Sequence, residues 1–271
     1  MTSDKVHMHQ LYKTIFIGLL AFLGVSASAE SDANPIPKIT NSWQFELTPY
    51  IWTPGIMATL NMNNNAVNTA DISSSNVLSN LKSGAMMAGE VRKGRWGLMA
   101  DTFFATLQHN GGFTAKDKSG NLRIGDSVTL QQTILSSAAL YNLHNSANLN
   151  IDGLLGVRGV YTTATLSLNL LGTNLKEGSS SAMSTVDPIA GFKGRYRIAD
   201  SSWYIPFYAD IGGGGGTTNM TWQGMFGVGK SIDSLLDVSL SYRALYYDMH
   251  GTGLLMKTTM KGPQLTLTLK F

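Results

Sequence analysis

The chain has 271 residues and a formal net charge of +3, with 43% hydrophobic and only 14% charged residues. That balance is too apolar for a disordered chain and too poorly charged for an ordinary soluble domain, and no Lys/Arg run marks a nucleic-acid surface. Cysteine is absent, which removes disulfide frameworks, cysteine nucleophiles and thiolate metal sites together.

Lys5 and Lys13 precede an apolar stretch from Ile15 to Val25, and Ser26-Ala27-Ser28-Ala29-Glu30 follows. A basic segment, a short apolar core and a small-residue A-x-A site make a secretory signal peptide over residues 1–29, with cleavage expected after Ala29. The apolar run is too short for an uncleaved anchor, and no later segment approaches the roughly 18 apolar residues of a spanning helix. Residues 30–42, rich in Asn, Pro and Ser, read as a polar periplasmic lead-in.

From residue 43 a period of two takes over. Trp43, Phe45, Leu47 and Ile51 share one face, and Gln44, Glu46 and Thr48 the other, as a strand between two different solvents requires. The same alternation predicts strands near 43–60, 83–93, 96–108, 127–143, 148–170, 182–199, 202–213, 219–230, 236–247 and 261–271. Tight gaps at 93–95, 144–147, 200–201 and 231–235 alternate with longer polar gaps at 61–82, 109–126, 171–181 and 248–260. Alternately short and long connections between about ten strands predict an all-β fold, a transmembrane antiparallel up-and-down β-barrel over residues 43–271. An even strand count puts both termini in the periplasm. Aromatics at strand ends (Trp43, Tyr50, Trp52, Trp96, Trp203, Tyr204, Trp222, Tyr246 and Tyr247) suit interfacial girdles. The gap at 61–82, with Ile72, Val77, Leu78 and Leu81 at mixed spacing, is expected to hold a short helix in or over the mouth.

Trp43-Gln44-Phe45-Glu46-Leu47-Thr48-Pro49-Tyr50-Ile51-Trp52, Gly94-Arg95-Trp96-Gly97-Leu98-Met99-Ala100-Asp101 and Val186-Asp187-Pro188-Ile189-Ala190-Gly191-Phe192-Lys193-Gly194-Arg195-Tyr196 resemble a widespread proteobacterial family of outer-membrane β-barrel proteins. Tyr208 to Gly213, Thr221-Trp222-Gln223 and Leu240-Ser241-Tyr242-Arg243 fit the same pattern, so the resemblance covers the whole mature chain. It implies fold and an outer-membrane location and brings no activity with it. The terminal Phe271, behind Leu265, Leu267 and Leu269, is similar to the end signal by which outer-membrane barrels are handed to the barrel assembly machinery.

With the apolar face toward lipid, the lumen receives Glu46, Glu90, Asp101, Asp152, Asp187, Asp210 and Asp237. It also receives Arg92, Arg158, Lys193, Arg195, Arg197, Arg243 and Lys270. Equal numbers of both signs in a narrow bore are expected to pair across it, as a structural charge network or as the lining of a constricted pore for small solutes. The expected function is therefore that of a small outer-membrane protein of structural or narrow-channel, porin-like type. Its partners would be outer-membrane lipid and lipopolysaccharide, with no cofactor, metal or catalytic residue assigned. The alternative is an outer-membrane hydrolase. Asp248-Met249-His250 resembles part of the site of omptin proteases, although the accompanying Asp-x-Asp is missing. Gly212 to Gly216 lacks the Lys-Ser/Thr and helix start of a phosphate loop and reads as a hairpin turn. His109, His144 and His250 show no metal-ligand spacing.

Overall fold

A computed structural model describes residues 33–62, 66–117, 120–170, 176–214, 217–251 and 254–271. The signal-peptide segment, the Asn63-Asn64-Asn65 run and Gly215 and Gly216 lie outside the described residues. The strands are β1 (Gln44–Trp52), β2 (Gly55–Met62), β3 (Ala66–Ile72), β4 (Leu81–Lys93), β5 (Trp96–Asp117) and β6 (Gly120–Asn145), with helix α1 (Ser74–Asn80) between β3 and β4. Then follow β7 (Leu149–Leu170), β8 (Lys176–Arg197), β9 (Trp203–Gly212), β10 (Thr218–Ser231), β11 (Leu236–Gly251) and β12 (Leu254–Lys270).

Each of β4 to β12 pairs antiparallel with the next, and β1 pairs with both β4 and β12. That double pairing closes a ten-stranded barrel. Closure is fixed at the chain's end by two reciprocal backbone bonds, in which Phe45 N–H donates to Phe271 O (2.8 Å) and Phe271 N–H donates to Phe45 O (3.0 Å). The tenth position is shared. β1 stops at Thr53-Pro54, and β2 takes over as the neighbour of β12 from Lys261 to Leu254. Proline has no N–H for the ladder and breaks the single strand expected over 43–60.

Alternation sorts side chains as the sequence pattern requires. Leu155 is 70% exposed, Phe226 68% and Leu240 61%, all on the outer face. Leu269 is exposed and Leu265 and Leu267 are half-buried on that same face, while Gln264, Thr266 and Thr268 are buried within. A closed sheet that is apolar outside and polar inside is a transmembrane barrel, because only a closed sheet satisfies its backbone in lipid.

Four strands are much longer than the ten or so residues that cross a bilayer: β5, β7 and β8 have 22 residues and β6 has 26. Most of the expected loops 109–126, 171–181 and 248–260 therefore continue as paired hairpins, with Asp117 opposite Gly120 and Gly251 opposite Leu254. Past the membrane both faces meet water, so apolar alternation fades while backbone pairing persists. By contrast β9 has 10 residues, and the turn beyond it uses Gly213 (φ 138°) and Gly214 (φ 78°), a region costly for other residues.

Two aromatic levels bound the outer face. At the short-turn end Lys93 lies over Trp43 (5.3 Å), Arg95 over Tyr141 (5.6 Å) and Lys230 over Trp203 (5.5 Å); Trp96 packs on Tyr141 (4.8 Å). At the hairpin end Trp222 stacks on Tyr246 (6.2 Å). From Lys230 to Trp222 the wall rises about 20 Å at the usual strand rise and tilt, close to the height of a lipid-facing band. Four of the expected girdle aromatics are not in it. Tyr50, Trp52, Tyr204 and Tyr247 are buried inside the barrel, on the parity of their strands' inward residues.

Candidate functional site

The lumen is the one enclosed region these residues build, and it is layered. Nearest the short turns are two ion-pair groups. In the first, Glu90 accepts from Arg92 and from Lys193, and Arg92 reaches Asp152 (Nη1 to Oδ1, 3.1 Å). Asn142 also donates to Asp152 (2.8 Å). In the second, Asp237 accepts from Arg195 (2.7 Å), Lys270 (2.7 Å) and Ser231, while Arg195 also reaches Glu46 (3.5 Å) and lies over Tyr204 (5.0 Å). The lead-in crosses this mouth. Pro35 O accepts from Arg195 (3.3 Å), Pro37 O accepts from Asn145 (2.9 Å), and Ala33 and Ile36 are buried.

Mid-height carries a second charged layer. Arg158 donates to Asp210 (Nη1 to Oδ1, 2.9 Å), Thr221 (3.2 Å) and Ser136 (3.2 Å), and Tyr208 donates to the same carboxylate. Across the bore Arg243 donates to Asp101 (2.7 Å), Tyr50 (3.1 Å) and Gln264 (3.4 Å). Gln223 accepts from both guanidinium groups, at 2.8 Å from Arg243 and 3.5 Å from Arg158. The chain Asp210, Arg158, Gln223, Arg243, Asp101, Tyr50 therefore spans the lumen. Asp187, opposite Arg158 in the ladder, is buried and accepts from Thr185 (3.2 Å). Buried charges persist only when paired and hydrogen-bonded like this.

All fourteen charged residues assigned to the lumen by alternation share the inward parity of their strands, and thirteen of them join these layers. Arg197 instead closes the β8–β9 turn, donating to Ser201 O (2.7 Å) and Asp200 O (2.8 Å). Tyr50, Tyr204 and Tyr208 complete the layers, and only the first two had been singled out, as girdle residues. Their parity, shared with Glu46 on β1 and Asp210 on β9, was the available signal.

Above the charged layer the lumen turns apolar. Trp52, Phe103, Ile134, Val160, Leu245 and Met260 form one buried cluster, reaching up to Val77 of α1, Leu107 and Met249. Trp52 covers Arg243 (4.8 Å) and packs edge-on against Phe103 (5.3 Å, 73°), so it floors this compartment. A second apolar cluster of Ala138, Leu140, Leu154, Ile189 and Tyr208 lies lower, on one side of the bore. An apolar inner compartment was not expected from the sequence, where every inward position was assigned to polar side chains. Met86 packs against the upper cluster, and Met87 faces outward, 51% exposed.

Asp248 and His250 sit on β11 with the parity of outward Tyr242 and Tyr246, opposite to that of inward Tyr247 and Met249. Asp248 pairs with Lys257 (3.6 Å) and His250 is exposed. The two residues face away from the lumen. His109 contacts Asn80 (3.2 Å).

No protein-family model matches the chain, and no curated protein matches it. Solved structures do. The outer-membrane protease OmpT of Escherichia coli is 8% identical, with a TM-score of 0.50 over 88% of this chain and 100% of its own. The translocator domain of the autotransporter NalP from Neisseria meningitidis is also 8% identical (TM-score 0.40; 99% and 98% covered). The attachment invasion locus protein Ail of Yersinia pestis is 11% identical (TM-score 0.35; 86% and 100%). The chain has the fold of an outer-membrane β-barrel. At these identities the likeness is one of fold alone.

Proposed function

We propose that the protein is exported, inserts into the bacterial outer membrane with its short turns in the periplasm, and serves there as a closed barrel of structural type. In this reading it belongs to the widespread proteobacterial barrel family that it resembles. It meets outer-membrane lipid and lipopolysaccharide on its outer face, depends on the barrel assembly machinery for insertion, and carries no catalytic residue. The signal-peptide pattern, the aromatic levels and the terminal Phe271 support that placement.

One observation carries the choice of a closed barrel over a channel. Arg158, Asp187 and Asp237 have no exposed surface and Arg243 only 3%, although all face the bore. A water-filled path would wet them. Solutes meet side chains at every level: ion pairs at the mouth, a hydrogen-bonded belt at mid-height, and Trp52 above it. Conductance of refolded protein in a planar bilayer tests this. Silence is expected from the wild type, with intermittent openings from a double Arg158→Ala, Arg243→Ala variant that removes both bridging side chains. Regular discrete openings of the wild type would overturn the reading and restore the narrow channel.

A further inference from the structure

The apolar compartment lies beside a break in the wall. β3 has β2 as its only strand neighbour, and β4 between Leu81 and Met86 has β5 alone, since β1 leaves it at Pro49 opposite Met87. A seam without ladder hydrogen bonds therefore runs between β3 and β4, starting near Ile72 and Ile56. Ile56 pairs with Met260, which pairs with Leu245, one residue short of the Trp222 and Tyr246 level. On the orientation proposed above, on which this inference rests, the seam starts at the outer membrane–water interface and runs from it toward the long hairpins.

Only α1 fills it. The helix is seven residues long, touches β2 and β5, and buries one side chain, Val77. Asn76 and Ser79 are exposed, and Leu78 is 46% exposed. A helix this short has little stability of its own, so its place depends on that one apolar contact and on its end bonds. Behind Val77 is a cavity of about 10 Å³, walled by Ile56, Phe103, Ala105, Leu107 and Met260, with Gln132 the one polar side chain in its lining. Such a space admits about one water-sized sphere. No charged side chain lines it. Withdrawal of Val77 would join the cavity to the seam, along a lining from Phe103 to Leu107 about 10 Å deep at the usual rise and tilt.

We propose that the outer half of the lumen is a binding site for a single aliphatic chain, admitted at the outer membrane–water interface through the β3–β4 seam when α1 moves aside. Chemistry selects the ligand class. The lining offers dispersion and burial and almost no hydrogen bonding, and the entrance begins at the outer aromatic level, where an alkyl chain meets the membrane surface. The chain has two possible sources, a free fatty acid or the tail of a membrane lipid.

Binding is tested with full-length mature protein in a sterol-based detergent, which brings no competing alkyl chain. The probes are a fluorescent long-chain fatty acid and a phospholipid bearing the same fluorescent chain. Saturable binding of at least one probe is expected, and which one binds identifies the source. Ala105→Val, whose two added methyl groups are of the size of the cavity, should weaken it by about tenfold or more. The chain has no cysteine, so a Val77→Cys, Ala105→Cys pair can be joined by a cleavable thiol cross-linker. Cross-linking should abolish binding and cleavage restore it, a reversal that a folding defect would not show. Absence of saturable binding by the wild type overturns the site. Binding that survives cross-linking overturns the seam as its entrance. Neither result bears on conductance, so a failure here and a failure of the closed-barrel reading can be told apart.

Discussion

The two halves of one lumen are filled by opposite means. Near the short turns and at mid-height, inward positions carry carboxylates and guanidinium groups joined in pairs, and Arg158, Asp210, Arg243 and Asp101 at mid-height are each held by two or more hydrogen bonds. Toward the long hairpins the same inward parity of the same strands carries Phe103, Ile134, Val160, Leu245 and Met260. On β11 the change falls between Arg243 and Leu245, successive inward residues. Ion pairs give geometry, because a charge bonded across the bore fixes two strands at one register; apolar packing gives cohesion without direction, and tolerates a missing neighbour. The break in the wall lies beside the half that can tolerate it. A seam at the level of Arg243 would leave directed bonds unmade and let water reach charges held at the expense of desolvation.

Breaking the polar half should have the largest effect. Arg158→Ala leaves Asp210 buried without its cation, and a loss of about 3 to 5 kcal/mol is expected, read from urea unfolding of protein folded into lipid vesicles. Replacing both partners, Arg158→Met with Asp210→Leu, should recover most of that loss. If it does not, the pair contributes cohesion as well as register, and the contrast drawn between the halves is wrong. In the apolar half Leu245→Ala should cost somewhat less, about 2 to 4 kcal/mol, by the same measurement. The two halves separate further in conductance. Arg158→Ala combined with Arg243→Ala should open the bore, whereas Leu245→Ala, lying above an intact charged layer, should leave it silent.

Fold was legible in the sequence wherever two solvents imposed two parities. Leu265, Leu267 and Leu269 against Gln264, Thr266 and Thr268 could only be a wall between lipid and interior, and the inward charges followed from the same count. Three features escaped it, each for a physical reason. The hairpin extensions of β5 to β8 stand in water on both faces, so nothing in their composition distinguishes a strand from a polar loop. The split at Pro54 and the added β3 depend on which strand β12 chooses as its neighbour, a tertiary preference without local signature. The apolar compartment escaped because an apolar residue is compatible with lipid outside and with a packed interior alike, so residue type alone does not assign its face. Trp52 already stood on the parity of Glu46 and Thr48, and reading parity before residue type would have placed it inside. The short helix over residues 74–80 was legible from Ile72, Val77, Leu78 and Leu81 at mixed spacing within 61–82, but what it covers was not.

At the mouth the contrast can be sharpened with a smaller change. Asp237 accepts from Arg195, Lys270 and Ser231, and its cationic partners keep some access to solvent, with side chains 16% and 20% exposed. Asp237→Asn preserves shape and some hydrogen bonding while removing the charge. A loss of about 2 kcal/mol is expected from the weakened charge-assisted bonds, again from urea unfolding. Because Arg195 and Lys270 can then be hydrated from the periplasmic side, added salt should recover part of it. Salt should do nothing for Arg158→Ala, whose stranded carboxylate no ion reaches. Equal salt responses would mean that mouth and mid-height are equally wet, contrary to the gradient of exposure along the bore.

The least effect is expected outside. Asp248 and Lys257 form an ion pair between neighbouring strands, 3.6 Å apart, similar in kind to Arg158 with Asp210 but on the outward face. There Asp248 is itself buried but Lys257 is 48% exposed, and a pair whose cation stands in solvent at 3.6 Å contributes about 1 kcal/mol, less as salt rises. Asp248→Asn should therefore shift the unfolding midpoint little, by an amount that shrinks in added salt. The same chemical pair thus serves as a control for solvent access of the cation, since both carboxylates are buried. If Asp248→Asn cost as much as Arg158→Ala, the outward face at that height would have to be as dry as the lumen, and the upper aromatic level at Trp222 and Tyr246 would lie too low. His250→Ala, one turn of the same parity further out and exposed, should change stability less still, and any loss of function it caused would have to arise at the outer surface and not in the bore.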